Sequence, residues 1–176
     1  MTNPLLLMTV LAMAPTVAEN RPVVALDLQR YSGVWHEIAH LPMFFQRKCK
    51  DRITATYPPR PDGSVEVRNA CRTQDDRMEE SIGVARPVAG EPGALKVRFA
   101  PGWLSWVPAV WAHYWVIALD PDYRWALVGG PSRKYLWILS RTPSMSKEVF
   151  DRIRTRATQF GYPTERLIMA APLTEL

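Results

Sequence analysis

The chain is poor in the residues from which reactive centres are built. Its 176 residues include two cysteines and three histidines. Cys49 and Cys71 are too few for a thiolate zinc cluster, and His36, His40 and His113 form no metal-ligand spacing with the available acids. There is no Gly-x-Ser-x-Gly nucleophile turn and no phosphate-binding glycine loop. These absences point away from an enzyme, and no cofactor or metal is expected. Beyond residue 18, no apolar stretch reaches transmembrane length without a charge or a proline. Long basic runs are also missing. The net charge is +5, but Lys and Arg are scattered, and their densest group is Arg47, Lys48, Lys50 and Arg52. A nucleic-acid binder gathers its cations on one face or in runs, so no nucleic-acid partner is expected. The group reads as solvated surface, or alternatively as a weak attraction to anionic lipid headgroups.

What is present begins with the amino terminus. Residues 2–18 carry no charged side chain, residues 5–14 are an apolar run, and Thr16-Val17-Ala18 resembles a small-residue cleavage site. This reads as a secretory leader over residues 1–18, followed by one domain over 19–176. No Lys or Arg precedes the run, so only the amino terminus supplies positive charge there. No cysteine lies near the cleavage region, so an acyl anchor has no attachment point. Export permits a disulfide. Cys49 and Cys71 sit at the far ends of a hairpin, which favours pairing; the alternative is two free thiols.

From Tyr31 to Arg141 the pattern is short apolar alternation broken by turn residues, the pattern of antiparallel strands. Strands are expected over 34–41, 52–57, 64–71, 78–86, 94–100, 111–119, 124–129 and 134–141. Asp62-Gly63, Asp75-Asp76 and Gly130-Pro131 mark turns between them. The period then lengthens. Val149, Ile153, Ala157 and Phe160 recur at helical spacing, with Ser144 or Ser146 as the cap and Gly161 as the stop. Residues 166–170 add a short ninth strand. The expected fold is all-β, an eight-stranded antiparallel up-and-down barrel with one C-terminal amphipathic helix.

Three motifs stand in order along this frame. Gly33-Val34-Trp35 opens the first strand, Asp120-Pro121-Asp122-Tyr123 joins the sixth to the seventh, and Arg141 ends the eighth. Together they resemble the lipocalin family, and the runs 35–39 and 135–143 resemble its bacterial branch related to apolipoprotein D. Leu119 departs from the usual Thr before the aspartate. The resemblance implies a barrel that carries or stores a lipid-like molecule, a fatty acid or lysophospholipid, in the periplasm or cell envelope. It also brings two alternatives, isomerase- or de-epoxidase-like chemistry inside the barrel, and haem or pigment binding with His113 as a ligand. Gly33, Trp35, Asp120, Tyr123 and Arg141 read as structural, with Arg141 stacked on Trp35 at the closed base.

Alternation then sorts the side chains. If Trp35 and Arg141 face inward, so do Ala55 and Tyr57, Val67, Val97 and Phe99, Tyr114, and Tyr135, Trp137 and Leu139. These are the candidate ligand-binding residues. Lys96 and Arg98 should face water. His36 and His40 should face outward, and Glu37 shares the side of Trp35. The uncharged segment 102–111 holds Trp103, Trp106 and Trp111 and is expected at the open mouth beside Phe44 and Phe45. There it would form a packed lid, or a rim in peripheral contact with membrane or incoming lipid.

Overall fold

The computed structural model describes residues 18–175, apart from the side chain of Trp103. The expected leader lies outside the described residues except for Ala18. Residues 18–26 come in along the barrel, held by bonds from the Ala18 amide to the Gln159 carbonyl and from the Val23 amide to the Val116 carbonyl. A single helical turn, α1 (Leu28–Tyr31), follows; the Asp27 carboxylate accepts from the amides of Gln29 and Arg30. Alternation gives no hint of so short a turn.

Eight strands come next: β1 (Val34–His40), β2 (Cys49–Thr56), β3 (Val65–Thr73), β4 (Met78–Val88), β5 (Glu91–Arg98), β6 (Ala112–Leu119), β7 (Trp125–Gly129) and β8 (Trp137–Ser140). Each pairs antiparallel with the next, and β1 pairs with β8, which closes the barrel and removes its open edges. The eighth strand is shorter than expected. Arg133 takes a left-handed φ of 54°, so the turn after β7 runs on and leaves Tyr135 outside the ladder. Beyond the barrel, β9 (Met145–Ser146) leads into α2 (Lys147–Gln159). There the Ser146 hydroxyl accepts from the Val149 amide. Gly161, at φ 83°, ends the helix. β10 (Ile168–Met169) then adds to β1, and β11 (Leu173–Thr174) pairs parallel with β9.

Two apolar layers hold this frame. Phe150, Ile153 and Ala157 of α2 pack with Phe160 on the outer wall, against Ile38, Leu127, Leu136 and Ile138. Phe150 thus takes the place expected of Val149, which is only half-buried. The other layer fills the barrel and includes Trp35, Tyr57, Val67, Val97, Val116 and Leu139. Its base is tied by Arg141. The guanidinium carbon lies 3.8 Å from the Trp35 ring centre, and its nitrogens donate to the carbonyls of Val34 (3.0 Å), Arg30 (2.6 Å) and Tyr123 (3.3 Å). Gly33 has φ 90°, and an added Cβ would sit 3.4 Å from the Arg141 guanidinium. Asp120 accepts from the amides of Asp122 and Arg124 and from the Arg124 side chain, fixing the turn whose Tyr123 hydroxyl receives the Asp27 amide. Cys49 and Cys71 are joined in a disulfide that spans the ends of β2 and β3.

One irregularity changes which side chains face inward. The β1–β8 register slips between Glu37 and Ala39. Ile38 and Ala39 therefore both join the outer layer, and His40 comes opposite Trp137 on the inner side. His40, expected to face outward, is buried.

Candidate ligand-binding site

The interior is layered from base to mouth. At the base three tyrosines, Tyr31, Tyr57 and Tyr114, form a hydroxyl chain, with 2.7 Å between Tyr31 and Tyr114 and 2.9 Å from Tyr114 to Tyr57. Burial pushes all three phenols above their usual range, so they stay neutral and give this layer polarity without charge. With Leu28, Val65, Ala85, Leu95 and Val97 they enclose a gap of about 10 Å³, room for one water at most. The lower barrel is therefore filled. Of the expected ligand residues, Tyr57, Val97 and Tyr114 line this gap, while Val67 and Leu139 belong to the same packed layer. Ala55 and Trp137 lie against that layer and are partly open. Tyr31 and Leu28 carry no signal in the strand pattern, because they come from the short turn α1.

Above the tyrosines sits the buried carboxyl group Glu37. Gln46 Nε2 donates to Glu37 Oε2 at 2.8 Å, and Gln46 Oε1 accepts from Trp137 Nε1 at 3.3 Å. Glu37 Oε1 has no hydrogen-bond partner among the described residues. His40 Nε2 lies 3.8 Å from it, and His40 Nδ1 lies 2.7 Å from the Leu41 carbonyl. A carbonyl only accepts, so Nδ1 carries the proton and a neutral His40 turns a lone pair toward Glu37. That suits a protonated acid. Burial pushes the Glu37 pKa up to about 8, and the Gln46 bond offsets only part of that rise. Burial also lowers the pKa of His40. Both groups are thus held uncharged near neutrality. Gln46, the residue that ties Glu37 to Trp137, has no signal in the sequence because it lies in a single 3-10 turn (Phe44–Gln46) between β1 and β2.

The mouth is aromatic on one side. Phe44 meets Phe45 edge-on at 5.3 Å, Phe45 meets Tyr135 at 5.9 Å, and Tyr135 stacks on Trp137 at 6.1 Å. Phe44, Phe45 and Tyr135 are exposed. Phe99 lies one residue past β5 over the backbone of Gly83, where an added Cβ would meet its ring at 2.8 Å, and remains half exposed.

Trp106 and Trp111 do not join this mouth. After β5 the tryptophan segment folds back over the outer wall, where Trp106 and Trp111 border a groove with Arg86, Lys96 and His113. Trp111 is held there by Arg86 and Arg98, each with its guanidinium carbon 5.1 Å from the ring centre, and by a bond from its indole nitrogen to the Ser105 carbonyl. Arg98 points outward as alternation requires but is largely withdrawn from water. It is only 8% exposed, and donates to the carbonyls of Ala100 and Pro101 beneath the folded loop. His113 also faces the outer groove, which removes it as an axial ligand inside the barrel. The side chain of Trp103 lies outside the described residues.

The family model described as a lipocalin-like domain matches residues 26–172. Temperature-induced lipocalin-1 of Arabidopsis thaliana is 41% identical over 152 residues, which cover 85% of this chain and 81% of that protein. Outer membrane lipoprotein Blc of Escherichia coli K12 is 42% identical over 145 residues, covering 81% and 77%. Apolipoprotein D of Mus musculus is 29% identical, covering 88% and 78%. In fold, the chain is similar to insecticyanin of the tobacco hornworm Manduca sexta, with a TM-score of 0.67 at 20% identity and 90% of each chain covered. The closed eight-stranded barrel, the Trp35–Arg141 base and these relatives agree: the chain belongs to the lipocalin family.

Proposed function

We propose that the barrel takes up a single-chain amphiphile, a fatty acid or lysophospholipid, through its open end. The reading rests on Glu37, a buried neutral acid with one oxygen unpartnered among the described residues, set in an apolar wall between the mouth and the tyrosine layer. A buried polar atom without a partner costs on the order of 1–3 kcal/mol, and a ligand carbonyl or carboxyl group placed there would remove that cost. The acyl chain would lie along the partly open Ala55 and Trp137, with the packed layer of Val67, Val97 and Leu139 and the tyrosines Tyr57 and Tyr114 as its floor. Phe44, Phe45, Phe99 and Tyr135 would flank its entry. Glu37 and His40 are neutral partners here, and we read them as ligand contacts rather than as a general acid and base.

The names of the Blc relatives as outer membrane lipoproteins support a place in the cell envelope. The lipoprotein part of those names runs against the expectation of an unanchored chain. The leader over residues 1–18 remains part of this proposal.

A fatty-acid series tests the interior. Each added methylene should tighten binding by about 0.8 kcal/mol, roughly fourfold, until the space above the tyrosines is full. Ala55→Phe should block binding and leave the fold unchanged. Affinity that does not vary with chain length, or full binding by the Ala55→Phe variant, would refute interior binding.

A further inference from the structure

The outer wall carries two facing cations with a histidine beside them. Arg86 on β4 is opposite Lys96 on β5, and Lys96 is opposite His113 on β6. Their neighbours Ala85, Leu95, Val97 and Tyr114 point into the barrel, so these three point out. Like charges directly opposite on neighbouring strands repel. Among the described residues no ion pair includes Arg86, Lys96 or Arg98. Arg98 adds a fourth group beneath Trp111, nine-tenths buried, with its Nε unpartnered among the described residues. The folded loop turns this set into a groove of about 550 Å³, a volume suited to a small ligand. Trp106 and Pro108 stand on its loop side, and Trp106 is 78% exposed.

We propose that this groove is a second site, outside the barrel, that seats the phosphate headgroup of an anionic lipid while the lipid stays in its bilayer. A phosphate between Arg86 and Lys96 neutralises two charges that otherwise repel. An exposed indole at the edge of a cationic groove matches the bilayer interface, where the ring is apolar and its N–H stays hydrated. Among the described residues the wall beside α2 has no such combination, since Lys147, Arg152 and Arg154 are paired with Asp151 or Glu148 and Arg156 lies over the Phe160 ring. This flank, rather than the aromatic mouth, is the surface that faces the membrane, and the interior site is independent of it.

The test is sedimentation with vesicles of mixed phosphatidylglycerol and phosphatidylcholine, compared with vesicles of phosphatidylcholine alone. The parent should bind the anionic vesicles selectively, with a blue shift of tryptophan emission that Trp106→Ser diminishes. Arg86→Gln/Lys96→Gln should weaken partition about 30-fold, as expected for two cations near an anionic surface. Arg152→Gln/Arg154→Gln removes the same net charge from α2 and should change partition less than about threefold. Fatty-acid binding measured on every variant should be unchanged, which separates failure here from failure of the interior site. Equal losses in the two double variants would show attraction by net charge alone and overturn the proposal. So would binding of inorganic phosphate or of monomeric dihexanoyl-phosphatidylglycerol as tight as binding to vesicles, or no binding of the parent to anionic vesicles.

Discussion

Replacing Glu37 by Gln should make the protein more stable at high pH and remove a slope from its stability curve. The folded state holds this carboxyl group protonated up to about pH 8, against an ordinary value of 4.5. Between those values the native chain carries one more proton than the unfolded chain, so stability falls as pH rises. The contribution is fully present below about pH 4.5 and is lost once the pH passes 8. Across the whole window it amounts to at most about 5 kcal/mol, from roughly 1.4 kcal/mol per pH unit. His40 acts in the opposite sense. Burial lowers its pKa below 6.5, so its effect raises stability as the pH climbs toward 6.5. The clean interval is therefore pH 6.5 to 8. Gln keeps the size of Glu and can still accept from Gln46, so the variant should match the parent at about pH 5 to within about 1 kcal/mol. Urea unfolding of both proteins from about pH 5 to about pH 9 measures the difference. The parent should lose on the order of 2 kcal/mol between about pH 6.5 and 8, and the variant should not. If the two curves run parallel across that interval, Glu37 is ionised and solvated in the folded protein. The neutral acid on which the interior reading rests would then be wrong.

Arg141→Ala removes the guanidinium from the Trp35 ring together with its bonds to the carbonyls of Val34, Arg30 and Tyr123. It should cost about 2–4 kcal/mol in chemical denaturation and leave fatty-acid chain-length selectivity intact; an unchanged melting temperature with lost binding would contradict a structural role. Cys49→Ser/Cys71→Ser opens a loop with a sequence separation of 22 and should lower stability by about 3 kcal/mol. Reduction of the parent should reproduce that loss, and an unaffected parent under reducing conditions would count against it.

Much of the barrel is legible because its signals are local. The strands β1 to β7 show as alternation, the turns show as Asp-Gly, Asp-Asp and Gly-Pro pairs, and α2 shows as a change of period. The base is legible for a different reason. Gly33, Trp35, Asp120, Tyr123 and Arg141 are far apart in sequence but each sits at a strand end, where a closed antiparallel sheet brings them together. The part of the interior wall that strands supply follows from parity, and parity holds wherever the ladder is regular, as along β3 and β4.

The errors fall where regularity ends. A single register slip in β1 moves His40 from the outer face to the inner one, and no residue type near Glu37 announces it. It is this slip that sets a neutral imidazole beside a neutral acid, so the most distinctive chemistry of the interior depends on a feature that alternation cannot show. The tryptophan segment departs from expectation for a related reason. Topology fixes which end of the barrel a loop leaves from, but not where the loop goes next. Segment 102–111 leaves the open end and then turns down the outer wall because Arg86 and Arg98 offer Trp111 two cationic partners there. Alternation places Arg98 outside the barrel, and from that position contact with water is the natural expectation. Outside the barrel and exposed to water are different statements: Arg98 is outside and buried. Its charge, on what alternation alone presents as a plain solvated wall, instead recruits a loop, and that loop gives the facing cations an aromatic bank.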